Sequence, residues 1–397
     1  MVTVTPRSEA DVAEAMRLAG EKNAALEIVS GGTKRAIGRP VSANAVLDMS
    51  GLSGIVKYEP EELVLTVRSG TRMSDIETAL AEKNQMLGFE PADWGPLLGA
   101  AGSGTIAGTV ATNACGSRRV RAGAVRDHVI GCRFVNGLGE TVKAGGQVIK
   151  NVTGFDIAKL MCGAFGTLGV LTKITLRVTP KPAQAATFAL KDCDASKGLA
   201  ALRRAAGLPI DATGLSYFPA SSFGEAQAAL AGGSGAALIR IEGTGSALEE
   251  KLSVLRHAFA GEDRSILDRE ATATLFRGIG NGAVFAKRAT DIWRLFVPQS
   301  AALQALTASR AEFWYADCAG GALWLGLPAD EATATRLRSI TMTVGGYATL
   351  MRGPTKARAM LPVFETETPA RAELTKSVKA AFDPKHLINP GRMYKDI

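Results

Sequence analysis

The pattern of apolar and polar positions at the start of the chain predicts a β-α-β unit. Ser8 precedes a run with the 3.6-residue period of an amphipathic helix, whose apolar positions are Val12, Ala15, Met16 and Ala19. Such a run after a serine predicts a capped helix. The apolar run LEIVS at 26–30 then has the length of a strand.

Three further patterns organise this first part. A hairpin around Glu59-Pro60-Glu61 leads into the strand-like ELVLTVRSG, and Ser74-Asp-Ile-Glu77 has the form of a capping box that opens a helix over 74–84. Asn136-Gly137 separates two apolar runs and predicts a hairpin. The prolines of Thr179-Pro-Lys-Pro182 end this part of the chain.

The second part, from 183 to about 345, alternates two patterns. Alanine-rich helical patterns lie at 196–206, 223–231 and 246–260, and strand-like runs lie at 236–242, 292–297 and 322–327. The alternation predicts an antiparallel sheet with helices on one face, an α+β domain. We therefore expect domains at 1–180 and 181–345, with a C-terminal segment at 346–397.

Composition narrows the class of protein. A chain of 397 residues with 46% hydrophobic content can bury a large core and form more than one domain. The N-terminus carries no secretory signal pattern and no run is apolar enough for a membrane span, so a cytoplasmic protein is expected. The five cysteines, 115, 132, 162, 193 and 318, are scattered without CxxC, which argues against a zinc or iron–sulfur site in this chain. We expect no metal.

The net charge of +8 is spread along the chain. Its densest basic cluster is Arg118-Arg119-Val-Arg121 with Arg126. Only 6% of residues are aromatic, whereas single-stranded nucleic-acid sites interleave aromatics with cations, so nucleic acid is not expected as a partner. An anionic dinucleotide, an anionic substrate or an acidic protein surface uses this charge better.

The stretch 94–117, WGPLLGAAGSGTIAGTVATNACGS, has no charged residue and is crowded with small ones. It is too polar for a transmembrane helix. Gly102, Gly104 and Ala107 fit GxGxxA, but a dinucleotide fingerprint must follow a strand, and PADWGP is no strand. A loop that cradles a ligand and runs into a short helix fits best, since small residues let backbone N–H groups approach an anion.

Two more glycine-rich loops lie nearby, SGGTK at 30–34 after a strand and GAFGTLGV at 163–170 before one. A single loop of this kind is explained equally well by a tight turn. Three of them within 170 residues indicate one large ligand that is touched from several sides.

These motifs resemble the FAD-binding flavoproteins of the vanillyl-alcohol oxidase and p-cresol methylhydroxylase type. The resemblance rests on segments that follow one another in the family's order, namely 30–34, 104–113, 116–118, RDHVIG at 126–131, KNVTGFD at 150–156, GTLGV at 166–170 and FDPKHLINPGR at 382–392. It implies a two-subdomain FAD-binding domain, an α+β cap domain of antiparallel sheet and helices, and a C-terminal return to the FAD domain.

The resemblance also implies which residues bind FAD. They are Ser30, Gly31, Gly32, Thr33, Lys34, Gly102, Gly104, Thr105, Gly108, Ala111, Asn113, Gly116, Ser117, Arg118, Gly169, Val170, Asn389 and Arg392. Asn389 and Arg392 would close over the isoalloxazine, with a plain Asn-Pro-Gly turn as the alternative. Relatives that bind FAD covalently often use a histidine in the first loop, and here that loop has none, so non-covalent FAD is expected. His128 and His386 are interpreted as structural.

Within this family the chain is most similar to the smaller flavin-type subunits of bacterial glycolate oxidases. That similarity implies glycolate as substrate and two partners, a larger homologous FAD subunit and an iron–sulfur subunit, with attachment at the inner membrane only through them. The cap lacks the histidine cluster of larger relatives, which leaves Arg277, Arg294 and Arg352 as candidate catalytic carboxylate clamps. Two hypotheses stay open, an FAD-dependent 2-hydroxy-acid dehydrogenase component and a non-catalytic flavin relay.

Overall fold

The computed structural model describes residues 2–146, 156–223, 230, 232–395 and 397. They form two compact units. The first consists of Met1–Cys115, Ala124–Lys181 and Thr366–Ile397, and the second of Gly116–Gly123 and Pro182–Glu365. The motif at 150–155 and most of the helical pattern at 223–231 lie outside the described residues.

This division differs from the expected domains in two places. Gly116–Gly123 belongs to the second unit, although its first two residues are the end of the uncharged stretch 94–117. The return to the first unit begins at Thr366 rather than at 346, because the strand Tyr347–Arg352 pairs with Ile292–Phe296 inside the second unit.

The first unit begins with the predicted β-α-β arrangement. Its three parallel strands are, in spatial order, Val2–Val4, Ala45–Asp48 and Leu26–Val29. The helix Glu9–Lys22 is capped by Ser8, whose hydroxyl accepts the Asp11 N–H while the Asp11 carboxylate accepts the Ser8 N–H. The predicted cap is therefore confirmed.

An antiparallel sheet forms the larger part of this unit. Its described strands are, in spatial order, Ile55–Glu59, Val64–Arg68, Val170–Arg177, Val129–Val135 and Thr141–Gly145. Both predicted hairpins are present. In the second, the Asn136 side-chain oxygen accepts the N–H groups of Leu138 and Glu140. Gln85–Met86 pairs separately with Thr179–Pro180.

The second unit contains the predicted antiparallel sheet. In the described part of the chain its strands are, in spatial order, Arg264–Leu267, Gln184–Leu190, Gly235–Gly243, Gly214–Pro219, Phe313–Asp317, Ala322–Gly326, Ile292–Phe296 and Tyr347–Arg352. All three strand-like runs of the sequence are among them, so the α+β class is confirmed.

The remaining α-helices divide between the units. In the first unit they are Met73–Ala81, Ile106–Thr112, Val125–His128, Ile157–Met161 and Pro369–Phe382. In the second they are Arg119–Ala122, Ala195–Ala206, Gly245–Ala258, Arg269–Gly280, Ala283–Ala286, Ala302–Ser309, Glu331–Val344 and Thr355–Met360. None of the described helices is long and apolar enough to cross a membrane.

The capping box predicted at Ser74 is wrong. The helix runs over Met73–Ala81 with Arg72 at the cap position, and no side chain caps it. Ser74 instead lies inside the first turn and contacts Asp75. The start is set by a distant contact, since the Met73 N–H donates to the Gly104 carbonyl.

Candidate cofactor site

The predicted loop that runs into a short helix is present in the first unit. We call this loop, 103–105, together with the loop 30–34 the cradle. Thr105 caps the helix Ile106–Thr112, because its hydroxyl accepts the Gly108 N–H at 3.4 Å. The same hydroxyl lies 2.8 Å from the Ser30 carbonyl and 2.9 Å from the Ser30 hydroxyl. The start of the helix is thereby tied to the loop 30–34 that follows strand Leu26–Val29.

Glycine is required where the two loops meet. Gly31 and Gly32 have φ angles of +74° and +73°, which side chains rarely adopt. A Cβ on Gly31 would lie 3.0 Å from the Thr105 methyl and 3.1 Å from the Ser103 carbonyl oxygen. Only glycine lets the two backbones approach this closely.

The backbone N–H groups of 31–34 and 103–105 point to an anionic ligand. Among the described residues they have no hydrogen-bond acceptor. The next three N–H groups along the helix are occupied, since Ile106 donates to Thr71, Ala107 to Ser69 and Gly108 to Thr105. The predicted set of donors at 103–108 therefore contracts to 103–105, the part outside the helix.

Lys34 adds a buried cation to this cradle. Its side chain is 7% exposed, and its ammonium makes no hydrogen bond or ion pair with any residue that the structure describes. The nitrogen lies 3.3 Å from the position that a Cβ on Gly104 would take. Burial lowers the pKa of Lys34, while the charge of Asp93 raises it. A buried ammonium is costly without an anion, so the cradle fits the FAD pyrophosphate.

Residues predicted to close over the flavin instead hold the loops in place. The Asn389 amide donates to the Phe165 and Gly166 carbonyls at 3.2 and 3.1 Å and accepts the Ile28 N–H at 2.8 Å. Arg392 donates to the Lys34 carbonyl at 3.1 Å. These contacts support the turn alternative and give both residues a positioning role behind the first loop.

Packing roles are also found for four other residues of the predicted FAD-binding set, Ala111, Asn113, Gly169 and Val170. The Ala111 carbonyl accepts the Phe165 N–H, and Asn113 accepts the Arg126 N–H from a left-handed conformation that ends the helix. A Cβ on Gly169 would lie 2.6 Å from the Phe134 ring, and Val170 is buried in its strand. Gly102 is an exposed turn residue with φ +96°.

Gly116, Ser117 and Arg118 lie in the second unit and are held by its side chains. The buried Ser117 hydroxyl donates to Asp317 at 2.9 Å, and Arg118 forms an ion pair with the buried Glu242. Gly116 lies against Gly280. These contacts explain why the segment is assigned to the second unit rather than to the flavin cradle.

Arg352 does not offer its guanidinium to a ligand. Its nitrogens donate to the carbonyls of Phe285, Arg288 and Thr290, at 2.6 to 3.2 Å. The expected C-terminal segment at 346–397 would place Arg352 in the return to the FAD domain, and this is corrected, because its strand lies within the second unit. Burial lowers the pKa of this guanidinium. Its role is to fix the segment 285–290.

Arg294 and Arg277 have different surroundings. The half-buried Arg294 lies over the rings of Phe296 and Trp324, at 4.9 and 5.1 Å from their centroids. The Arg119 guanidinium lies 4.7 Å from the centroid of the same Phe296 ring. Arg119 belongs to the basic cluster RRVR, but the sequence pattern did not predict this contact. Arg277 is exposed on the last turn of Arg269–Gly280.

Histidines and cysteines contribute no second site. His128 is buried edge-on against Phe89, whereas His257 and His386 are exposed. All five cysteines are free, and burial raises the pKa of both Cys132 and Cys162 to about 12. Within the ranges that the structure describes, no group of three or more His, Cys, Asp or Glu side chains could hold a metal ion.

Comparison with known proteins places this cradle in a family. Residues 1–145 match the FAD binding domain family. The chain is 31% identical over 376 residues to glycolate oxidase subunit GlcE of Escherichia coli K12, covering 94% of this chain and 93% of that one. It is 34% identical over 183 residues to D-lactate dehydrogenase of Anaerostipes hadrus, covering 46% and 37%.

A solved structure shows the same fold. Substrate-bound p-cresol methylhydroxylase superposes with a TM-score of 0.73 at 15% identity, covering 99% of this chain and 88% of that one. The chain therefore has the fold of p-cresol methylhydroxylase and carries an FAD binding domain. Among proteins with this fold and domain, the chain belongs to the family of the glycolate oxidase subunit GlcE.

Proposed function

We propose that this chain is the FAD-binding subunit of a glycolate oxidase complex, in which glycolate is oxidised to glyoxylate and electrons pass through the flavin to partner subunits. The observation that carries the proposal is the cradle, in which the backbone N–H groups and the buried Lys34 ammonium have no hydrogen-bond acceptor among the described residues. Similarity to GlcE over nearly the whole chain supports the substrate and the complex.

Each part of the cradle has a role toward FAD. The N–H groups of 31–34 and 103–105 would hold the pyrophosphate, and the Lys34 ammonium would neutralise it. When bound, FAD supplies the acceptor for the hydride of the substrate C–H bond. The first loop has no histidine, so we expect acid precipitation to release the yellow cofactor into the supernatant. Flavin retained in the pellet would contradict non-covalent binding.

Arg294 is the candidate that we retain for the substrate carboxylate. A carboxylate leaving water needs a charge-assisted, bidentate partner, and the rings of Phe296 and Trp324 keep the Arg294 guanidinium in an apolar setting. Arg294→Lys should weaken glycolate binding about tenfold or more, measured by perturbation of the flavin spectrum. Arg352→Lys is the matched comparison, and it should lower stability while leaving the binding constant unchanged.

A second candidate function is a flavin relay that does not itself oxidise the substrate. It is favoured by the surroundings of two residues that could have served the oxidation. His257 is exposed, and the Arg352 guanidinium donates to backbone carbonyls. Anaerobic addition of glycolate to the isolated FAD-loaded chain separates the two functions. Bleaching of the flavin band supports direct oxidation, whereas bleaching only after the larger flavin subunit is added supports the relay.

The partners follow from the electron path. The sequence has no CxxC, so we propose that a larger FAD subunit and an iron–sulfur subunit receive the electrons, and that the inner membrane is reached only through them. Co-purification from the native host should return all three chains. A single chain that is fully active with a natural acceptor would contradict the complex.

A further inference from the structure

The second unit contains a cavity that the proposed flavin chemistry does not use. Its volume is about 410 Å³, within the range of roughly 300–1,000 Å³ that is typical of small-molecule pockets. The walls are apolar and come from the helix Arg269–Gly280 and its neighbours, chiefly Phe218, Phe223, Leu275, Ile279 and Val284. The described residues that line the cavity all belong to the second unit.

Among the described residues that line this cavity, the two charged ones, Lys287 and Arg288, are both cationic. Lys287 and Arg288 lie at its edge with exposed side chains, and neither forms an ion pair with a described residue. The Arg288 guanidinium lies 3.6 Å from the centroid of the Phe313 ring. An apolar interior beside two unpaired cations is complementary to an anion that carries an apolar body.

The edge of the cavity is held in a fixed position. Arg352 donates to the carbonyls of Phe285, Arg288 and Thr290, which bracket the two cations along the chain. The half-buried Arg352 side chain therefore fixes the backbone of 285–290. Such preorganisation reduces the entropy lost when a ligand binds.

We propose that this cavity binds a free organic carboxylate with an apolar chain of medium length. The carboxylate would contact Lys287 and Arg288, and the chain would fill the space between Phe218, Leu275 and Ile279. Glycolate has only two carbons and no apolar part, so it would leave these walls uncovered. We therefore expect the ligand of this cavity to differ from the substrate of the proposed oxidation.

The probe is sodium octanoate, titrated calorimetrically into the full-length, FAD-loaded protein. Hexanoate, octanoate and decanoate should bind progressively more tightly, by about fourfold for each buried methylene. Octan-1-ol should bind more weakly than octanoate, because it lacks the carboxylate. Excess glycolate should not displace octanoate. No octanoate binding, or equal affinity across the series, would overturn the proposal.

Two variants test the location. Gly278→Leu should fill the cavity and weaken octanoate binding at least tenfold, because a Cβ there meets only the Ala283 side chain at 3.8 Å and the helix is undisturbed. Lys287→Glu with Arg288→Glu should weaken binding similarly. Lys356→Glu, an exposed lysine on another helix, is the control and should bind as the parent does. Unchanged binding in either test variant would show that octanoate binds elsewhere.

Discussion

Two buried lysines of the first unit have opposite surroundings. Lys379 is fully buried, and its ammonium lies 2.7 Å from the Asp383 carboxylate, 2.7 Å from the Thr167 carbonyl and 2.9 Å from the Ile388 carbonyl. Lys34 is 7% exposed, and its ammonium makes no hydrogen bond or ion pair with a described residue, although the charge of Asp93 acts on it. Burial lowers the pKa of both, and Asp383 opposes that shift directly at Lys379. One ammonium is satisfied by the fold, whereas the other requires a ligand.

The comparison separates stability from ligand binding. Lys379 joins the helix Pro369–Phe382 to the loop at Thr167 and to the turn at Ile388, so its partners are all structural. Lys34 lies among open N–H groups of two loops. Substitution of the first should therefore lower the stability of the fold, and substitution of the second should weaken FAD binding.

The largest effect is expected for Lys379→Met. Removal of the ammonium leaves the Asp383 carboxylate buried without its counter-charge, which costs about 3–5 kcal/mol of unfolding free energy. Urea denaturation of the FAD-free protein measures it. Lys376→Met, exposed on the same helix, is the control and should change stability by less than about 0.5 kcal/mol. Equal stability of the two variants would contradict the structural role of Lys379.

Lys34→Met should show the reverse behaviour. A charge-assisted hydrogen bond to a phosphate contributes about 1.5–3 kcal/mol, so the Kd for FAD should rise by about 10- to 150-fold. The unfolding free energy of the FAD-free protein should stay the same or increase, since an unpaired buried charge is removed. Fluorescence titration with FAD, with the exposed Lys83→Met as control, measures the difference. Wild-type affinity would show that Lys34 does not contact the cofactor.

The pH dependence of unfolding and of FAD binding gives a second test of the role of Lys34. Burial lowers the pKa of Lys34 below its ordinary value of 10.5, so between the two values the unfolded chain binds more protons. Unfolding free energy of the FAD-free protein should therefore rise with pH across that window, relative to Lys34→Met. FAD affinity should fall over the same window, because binding requires the ammonium. A difference between parent and variant that does not change with pH would contradict this assignment.

The smallest effect is expected for Thr105→Ala. Loss of the helix cap costs about 1 kcal/mol, and the link to Ser30 is lost with it. Thr112→Ala lies on the same helix and removes a hydroxyl that bonds only the Gly108 carbonyl, so it is the matched control. Thermal unfolding and FAD titration should both separate the two variants. Identical behaviour would show that the cap does not organise the cradle.

Much of the fold was predictable because its signals are local. Ser8 before an amphipathic run identified a helix start, and the hairpin at Asn136 followed from a turn residue between apolar runs. The capping box at Ser74 failed because a contact from Met73 to Gly104 set the start of that helix. Motif order along the chain also did not predict that Gly116–Gly123 packs in the second unit.

The candidate site was predictable as a set of segments but not as a set of roles. The i,i+4 spacing of Lys379 and Asp383 could have predicted their ion pair. No comparable signal existed for Arg352, whose three acceptor carbonyls lie on a different segment, or for Arg119 beside Phe296. Strand alternation indicates the face on which a side chain lies and says nothing of the acceptors it meets there.

Periodicity, turn chemistry and motif order are properties of neighbouring residues, so the succession of helices and strands, the glycine-rich loops and the family could all be predicted without a structure. Which buried polar groups find a partner depends instead on how the chain folds. Asn389 is satisfied by Ile28 and Gly166, and Arg352 by Thr290, whereas Lys34 is left for a ligand. The reason is that a buried polar group must find its partner in space, and most of these partners lie far away along the chain.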